Sequence, residues 1–346
     1  MVMKSGNTGR GRRARRDPLY AAIDLGTNNC RMLIARSVAD GFHVVDAFSR
    51  IVRLGETLAD GDALSEVAMA RTIAALAVCA RKAARHGVER LRGVATEACR
   101  RAANSAAFFD RIEAATGLRL ETINGEEEAR LALVGCLPLL DPTARRALVF
   151  DIGGGSTELA WLDCRAGPPY RITASTSLSC GVTTLTERQG DDLVGRATYE
   201  AMVAHVRGLL APFEARHRLA PVIAEGGVQL LGTSGTVTTL AGVHLDLPRY
   251  DRTKVDGLCL DFDDVELVID RLLGLDIAAR AAIPSIGPER AEAVLAGCAI
   301  LDAIHRTWPV GGLRVADRGL REGILMNMMG FGGVLVDAIA PGLGQR

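Results

Sequence analysis

The chain has 346 residues, 48% of them hydrophobic and 24% charged, with a formal net charge of +0. This length exceeds one ordinary domain and suits two. Aromatic residues make up only 4%, which speaks against a nucleic-acid binder built on stacking platforms, and no uninterrupted apolar run has the length of a membrane span.

The charge is uneven. Residues 1–17 carry Lys4, Arg10, Arg12, Arg13, Arg15 and Arg16 against Asp17, a polar stretch with little to bury that reads as a disordered basic tail. The eight cysteines include no C-x-x-C pair, which fits reduced thiols and a cytoplasmic setting.

Tyr20–Arg36 then reads as strand, Gly-containing turn and strand, and residues 42–54 as a third strand. Ser65 is placed to cap a helix that Gly87 ends. Leu91–Ala95 and Leu118–Ile123 are predicted strands on either side of a helix near Asn104–Thr116. Gly125 opens a helical stretch that the prolines at 138 and 142 close, setting a domain boundary near Pro138–Arg146.

The second half begins again with a buried strand, Ala147–Ile152, a glycine turn and another strand. Helices are predicted from Gly181, over Tyr199–Arg218, Val265–Leu273 and Pro288–His305, and from about Leu320. Val228–Leu231 and Leu313–Ala316 are the remaining strands. Asp24-Leu25-Gly26-Thr27 and Asp151-Ile152-Gly153-Gly154 hold equivalent places, the second 127 residues after the first. The simplest account is a duplicated α/β domain, residues 18–140 and 141–330, with two Asp-Gly turns facing each other across a cleft. A tail at 331–346 is expected to pack back on the first domain.

The chemistry concentrates in three glycine loops. Gly153, Gly154, Gly155 and Ser156 after a buried strand cost chain entropy and make sense where backbone N–H groups must face phosphate oxygens, with Asp151 beside them to hold a cation or orient water. Asp24, Gly26, Thr27 and Asn28 form the repeat-related turn. Gly232, Thr233, Ser234, Gly235 and Thr236 join a strand to a helix N-terminus, a ready anion site. Glu126, Glu127 and Glu128 open a helix, where acidic residues complement the dipole, and one aimed into a phosphate-lined cleft can take a proton from water; spacing does not choose among them. Arg53, Arg100, Arg101 and Arg130 are the basic candidates. Thr96, Arg100 and Asn104 share a face if that segment is one helix, so Arg100 is favoured as a phosphate ligand.

At these residues the sequence resembles the exopolyphosphatase / guanosine pentaphosphate phosphohydrolase family. The segments AAIDLGTNNCRMLIA, VATEACRRAAN, INGEEEARLALVG, DIGGGSTEL, LGTSGTVTTLAG, YDRTKVDG, AVLAGCAIL and DRGLREGIL follow the family's order over roughly residues 20–326. The resemblance implies two ribonuclease-H-like domains of the actin-like ATPase class and a site between them. It further implies Mg²⁺ dependence and release of orthophosphate from the end of inorganic polyphosphate. Guanosine pentaphosphate is the alternative substrate, and a homodimer is expected from the resemblance alone. It selects Glu128 as the base, matches Arg100 to the family's V-A-T arginine, and matches Asp151 and Glu158 to the Asp and Glu of its D-I-G-G-G-S-T-E loop, both of them candidates to hold the metal and Glu158 also a candidate to orient water. The chain departs from the usual pattern at Thr184, Ala316 and Lys254-Val255-Asp256-Gly257, and it lacks the extra C-terminal region of longer members, so weaker processivity is expected. A small-molecule kinase of the same superfamily and a non-catalytic sensor are the rival classes.

Overall fold

The computed structural model describes residues 18–331 except 40, 57, 59–61, 169 and 190–194. The basic tail at 1–17 and all but the first residue of the tail at 331–346 lie outside the described residues.

Among these residues the first sheet has the order β3-β2-β1-β4-β5, built from β1 (Leu19–Leu25), β2 (Asn29–Val38), β3 (Gly41–Ile51), β4 (Arg90–Ala95) and β5 (Leu120–Thr122). The first three strands form an antiparallel meander, and β4 and β5 continue parallel to β1. Its helices are α1 (Glu66–His86), α2 (Glu97–Arg101), α3 (Ser105–Thr116) and α4 (Gly125–Cys136). Local chemistry sets the ends of α1: the Ser65 side chain accepts from the Ala68 N–H, and Gly87 stops the helix at φ 68, where a side chain would be strained.

The second sheet has the order β10-β11-β9-β6-β7-β8, from β6 (Arg146–Ile152), β7 (Thr157–Asp163), β8 (Arg171–Leu178), β9 (Val228–Thr233), β10 (Cys259–Asp261) and β11 (Gly312–Ala316). Setting β10 aside, the order and strand directions repeat those of the first sheet. The helices here are α5 (Val182–Gln189), α6 (Arg196–His217), α7 (Leu219–Ala224), α8 (Gly235–His244), α9 (Arg252–Val255), α10 (Phe262–Leu273), α11 (Ile277–Ala282), α12 (Val294–Thr307) and α13 (Leu320–Met328). The chain therefore has the duplicated α/β architecture that the two Asp-Gly turns foretold, in the ribonuclease-H-like, actin-like form that the family resemblance implied. Among the described residues no helix is long and apolar enough to cross a membrane.

Two local expectations give way to tertiary structure. The helix predicted from Pro288 begins only at Val294, because Gly287 at φ 68 leads into turns over residues 288–293. The helical face through Thr96, Arg100 and Asn104 is broken: Ala102 is extended, at φ −75 and ψ 123, and ends α2. Asn104 is turned away to bond both backbone groups of Leu64, accepting from its N–H at 2.9 Å and donating to its carbonyl at 3.0 Å.

The two halves exchange helices. α4, from the first half of the chain, lies on β6, β7 and β8 of the second sheet. Its Leu133, Val134 and Cys136 join a core with Ala147, Val149, Leu162 and Leu231. α13, from the end of the chain, lies on β1 and β2, and Leu320, Ile324 and Leu325 pack with Tyr20, Ala22 and Leu33. The two helices cross almost backbone to backbone. A Cβ on Gly135 would overlap the Gly319 carbonyl, and one on Gly323 would overlap the Leu131 carbonyl. This crossing fixes one lobe on the other below the cleft.

Candidate active site

The two Asp-Gly turns have the same closure. Gly26 N–H donates to Asn29 O at 2.9 Å, and Gly153 N–H donates to Ser156 O at 2.9 Å. Each turn ends a buried strand carrying an aspartate, Asp24 or Asp151. The turns meet tip to tip. A Cβ on Gly154 would lie 3.3 Å from Asn28 Cβ, and one on Gly155 would overlap Thr27 Oγ1. Neither glycine has a positive φ, so close approach explains both. Thr27 Oγ1 is buried there with no hydrogen-bond partner, an orphaned polar atom of the kind that ordered water or a ligand oxygen satisfies.

Helix α4 supplies the next wall. The Asn124 side chain accepts from the Glu127 N–H at 2.8 Å, which sets the helix phase and separates the three glutamates. Glu126 is exposed. Glu127 binds Arg130 through two hydrogen bonds of 2.6 and 2.9 Å. Glu128 alone turns into the cleft, where it is 8% exposed. It accepts from Arg100 Nη1 at 2.6 Å. Arg100 also donates Nε and Nη2 to Glu97 Oε2 at 3.1 and 2.8 Å, and its Nη2 is 4.0 Å from Glu158 Oε1. Glu158 in turn accepts from Ser177 Oγ at 2.7 Å. One guanidinium therefore serves three carboxylates.

The third wall is the β9–α8 junction. Ser234 sits at φ 141, a strained value for a residue with a side chain and one that concentrates at working sites. Its Oγ accepts from the Thr236 N–H at 3.1 Å. Thr233 Oγ1 donates to the Arg318 carbonyl at 2.6 Å.

These walls enclose a cavity of about 180 Å³ that touches Asp24, Gly26, Thr27, Asn28, Glu128, Asp151, Gly153, Gly154, Gly155, Ser156, Glu158, Ser234, Gly235 and Thr236. A second cavity of about 490 Å³ shares Asp24, Asp151, Ser234 and Gly235 and runs on to Thr233, Tyr250, Ser285 and residues 316–322. Several sequence candidates stand apart from both, among them Arg53, Arg101, Arg130, Glu126 and Glu127. Gly232 lies within β9, where the Phe150 ring fills the space a side chain would need. Arg100 lies behind Glu128 and lines neither cavity.

Several residues that sequence reasoning passed over are present. Arg31 and Arg290 line both cavities. Arg31 pairs directly across the hairpin with Asp24, so folding the Asp-Gly turn on paper would have found it. Arg290 comes from the turns before α12 and donates to Thr239 Oγ1 at 2.9 Å; no local motif marks it. Glu97 and Ser177 likewise carry no signal apart from the fold.

The acids are held back from ionising. Burial, reinforced by the charge of Glu158, pushes Glu128 well above the usual carboxylate range. Burial, followed by the charges of Glu128 and Asp24, pushes Asp151 up to about 7. Burial and the charge of Asp151 push Glu158 up to about 7. Burial also raises Asp24. A buried carboxyl that titrates near neutrality is suited to exchanging a proton with water, and facing N–H groups and arginines are suited to a polyanion.

Known proteins resemble this chain over most of its length. The chain is 32% identical over 327 residues to Exopolyphosphatase 2 of Mycobacterium tuberculosis, covering 90% of this chain and 98% of that protein. The crystal structure of an exopolyphosphatase from Cytophaga hutchinsonii superposes with a TM-score of 0.80 at 25% identity, over 90% of this chain and 98% of that one. The Aquifex aeolicus member of the Ppx/GppA family superposes with a TM-score of 0.73 at 27% identity, over 90% and 97%. The sequence profile of the Ppx/GppA phosphatase family matches residues 33–331. The chain belongs to the Ppx/GppA phosphatase family.

Proposed function

We propose that this enzyme is an exopolyphosphatase that hydrolyses the terminal phosphoanhydride of inorganic polyphosphate. The observation that carries the reading is the position of Glu128, the one glutamate of three that turns into a cavity also walled by both glycine turns. The terminal phosphoryl group sits between the turns, with the N–H groups of Thr27–Asn28 and Gly154–Ser156 toward its oxygens, those of Gly26 and Gly153 being used to close the turns themselves. Water attacks phosphorus as the anhydride P–O bond breaks. Glu128 accepts the water's proton, and orthophosphate leaves while the shortened chain keeps the bridging oxygen. Fixed donors aimed at developing charge supply most of the rate in such reactions. Arg31 and Arg290 are placed for the following phosphates.

The donor set fits a Mg²⁺ that arrives on the phosphates. Among the described residues no three His, Cys, Asp or Glu side chains are gathered to hold a metal, and Mg²⁺ commonly uses one or two carboxylates plus phosphate oxygens. Asp151 and Glu158 would hold it, and it would neutralise charge on the non-bridging oxygens. A cytoplasmic setting accords with the cysteines, all free among the described residues.

A folded Glu128→Ala protein is expected to lose about 10²–10⁴-fold in phosphate release from polyphosphate with Mg²⁺ present; near-normal turnover overturns the base assignment. One observation favours a second reading. The roughly 490 Å³ second cavity, with Tyr250 and Asp317 in its wall, exceeds what a bare phosphate chain fills and offers room for a nucleoside, as in guanosine pentaphosphate. Release rates from that nucleotide and from graded polyphosphates separate the two.

A further inference from the structure

We infer that Glu97 is a positioning residue for Glu128, acting through Arg100. The inference rests on the reading of Glu128 as the base and adds a residue to it. Glu97 is charged and only 7% exposed, yet it does not line the cavity that holds Glu128. Its partner is the guanidinium that also grips Glu128.

The geometry assigns each nitrogen of Arg100 a task. Nε and Nη2 donate to the same oxygen, Oε2 of Glu97, at 3.1 and 2.8 Å. Nη1 donates to Glu128 Oε2 at 2.6 Å and to the Ile123 carbonyl at 3.0 Å. A guanidinium is planar, so two bonds at one edge fix the direction of the third nitrogen. Glu97 therefore sets where Nη1 points, and Nη1 sets where the Glu128 carboxylate sits.

Glu97 is itself held from the other lobe. Its Cγ lies 3.1 Å from where a Cβ of Gly155 would be, so the bare glycine turn of the second lobe packs directly on it. The segment order is continuous: Gly155 turn, Glu97, Arg100, Glu128. A shift between lobes at the turn is thus passed to the base without any substrate contact by Glu97. Charge makes the clamp necessary. Glu97, Glu128 and Glu158 surround one arginine, and without an anchor on its far edge the guanidinium is free to swing toward Glu158, which is already 4.0 Å away.

The test is steady-state phosphate release from polyphosphate by folded variants, with kcat and KM read separately. Glu97→Ala is expected to lower kcat by about 10–100-fold, the scale for losing a supporting partner of a reacting group. KM should stay within about twofold, because neither Glu97 nor Arg100 lines the cavity. Glu97→Gln keeps an acceptor oxygen in place and should retain kcat within about threefold of the unaltered enzyme. Glu97→Asp keeps the charge but withdraws the acceptor by one methylene; it should show the same kcat-only loss and replaces Glu97→Ala if that protein does not fold. In an Arg100→Ala background, removing Glu97 should cost nothing more, since residues acting in series are not additive.

Glu128→Ala is measured alongside. If it retains turnover, the base reading fails and takes this inference with it. If it is inactive while folded Glu97→Ala or Glu97→Asp keeps the unaltered kcat, the Glu97 role alone is overturned. A loss confined to KM, or one that adds fully to Arg100→Ala, overturns it equally.

Discussion

The two Asp-Gly hairpins share a backbone and differ in what they carry. Both close with the same 2.9 Å bond, and both follow a strand that pairs antiparallel with its successor on one side and parallel with a later strand on the other. The first turn bears Thr27 and Asn28; the second bears Gly154 and Gly155 in the facing places. Two turns with side chains could not approach this closely, and two bare turns would leave a gap. Duplication supplied a symmetric frame, and the asymmetry in side chains lets the lobes meet closely. The lobes diverge elsewhere in the same way. The first is compact, while the second adds β10 and a set of helices between β9 and β11, and from that insertion come Ser285 and Arg290 of the cavity walls.

The most sensitive test of this complementarity is one methyl group. Gly155→Ala places a Cβ on Thr27 Oγ1 and against Glu97, forcing the turns apart. A displacement of that kind is expected to cost about 10²-fold in kcat/KM. Gly26→Ala, on the side-chain-bearing turn, meets only the Asn29 carbonyl at 3.6 Å, an ordinary contact, and kcat/KM should stay within about threefold. Equal losses in phosphate release would show that the two turns are interchangeable and break the comparison.

A smaller effect sharpens it from below the cleft. Gly135→Ala places its Cβ on the Gly319 carbonyl, and overpacking of this kind costs about 1–3 kcal/mol. The urea midpoint should fall accordingly; an unchanged midpoint would mean that the crossing is not what joins the lobes.

The smallest expected effect belongs to the outer face of the first lobe. Asp46 on β3 accepts from Lys82 Nζ at 2.7 Å and lies 2.9 Å from His86 Nε2. The Lys82 bond, assisted by His86, lowers its carboxyl to about 2. Because the folded value lies below the ordinary 3.8, the contribution to stability is complete above about pH 4 and disappears as pH falls toward 2. Asp46→Asn should flatten the stability curve over that window. An unaltered slope would remove the link between Asp46 and acid unfolding.

How much of this was legible depended on whether the determinant was local. The α1 caps, Ser65 and Gly87, act within four residues of themselves and could be read directly. So could the repeated Asp-Gly turns, where glycine is needed at fixed places. β8 was missed because RITASTSL shows polar and small residues at most positions; only Ile172, Ala174 and Leu178 are buried, and its pairing with β7 makes it a strand. Arg100 was read as a phosphate ligand from its segment, but its partners Glu97, Glu128 and Glu158 come from three elements and are set by tertiary packing. The exchange of α4 and α13 was illegible for the same reason: α4 is buried at every position over Leu131–Cys136, so no face marks its partner, and α13 covers β1 and β2 from the opposite half of the sequence.

That exchange bears on how the chain matures. A ribosome releases the first sheet long before Leu320–Met328 exists, so the face of Tyr20, Ala22 and Leu33 that α13 covers stays wet until that helix has been made. The nascent N-terminal half is thus an unfinished body with a greasy side, a natural client for chaperones that shield apolar surface. Docking of α13 seals that face and, through its crossing with α4, ties the two sheets together in the same step.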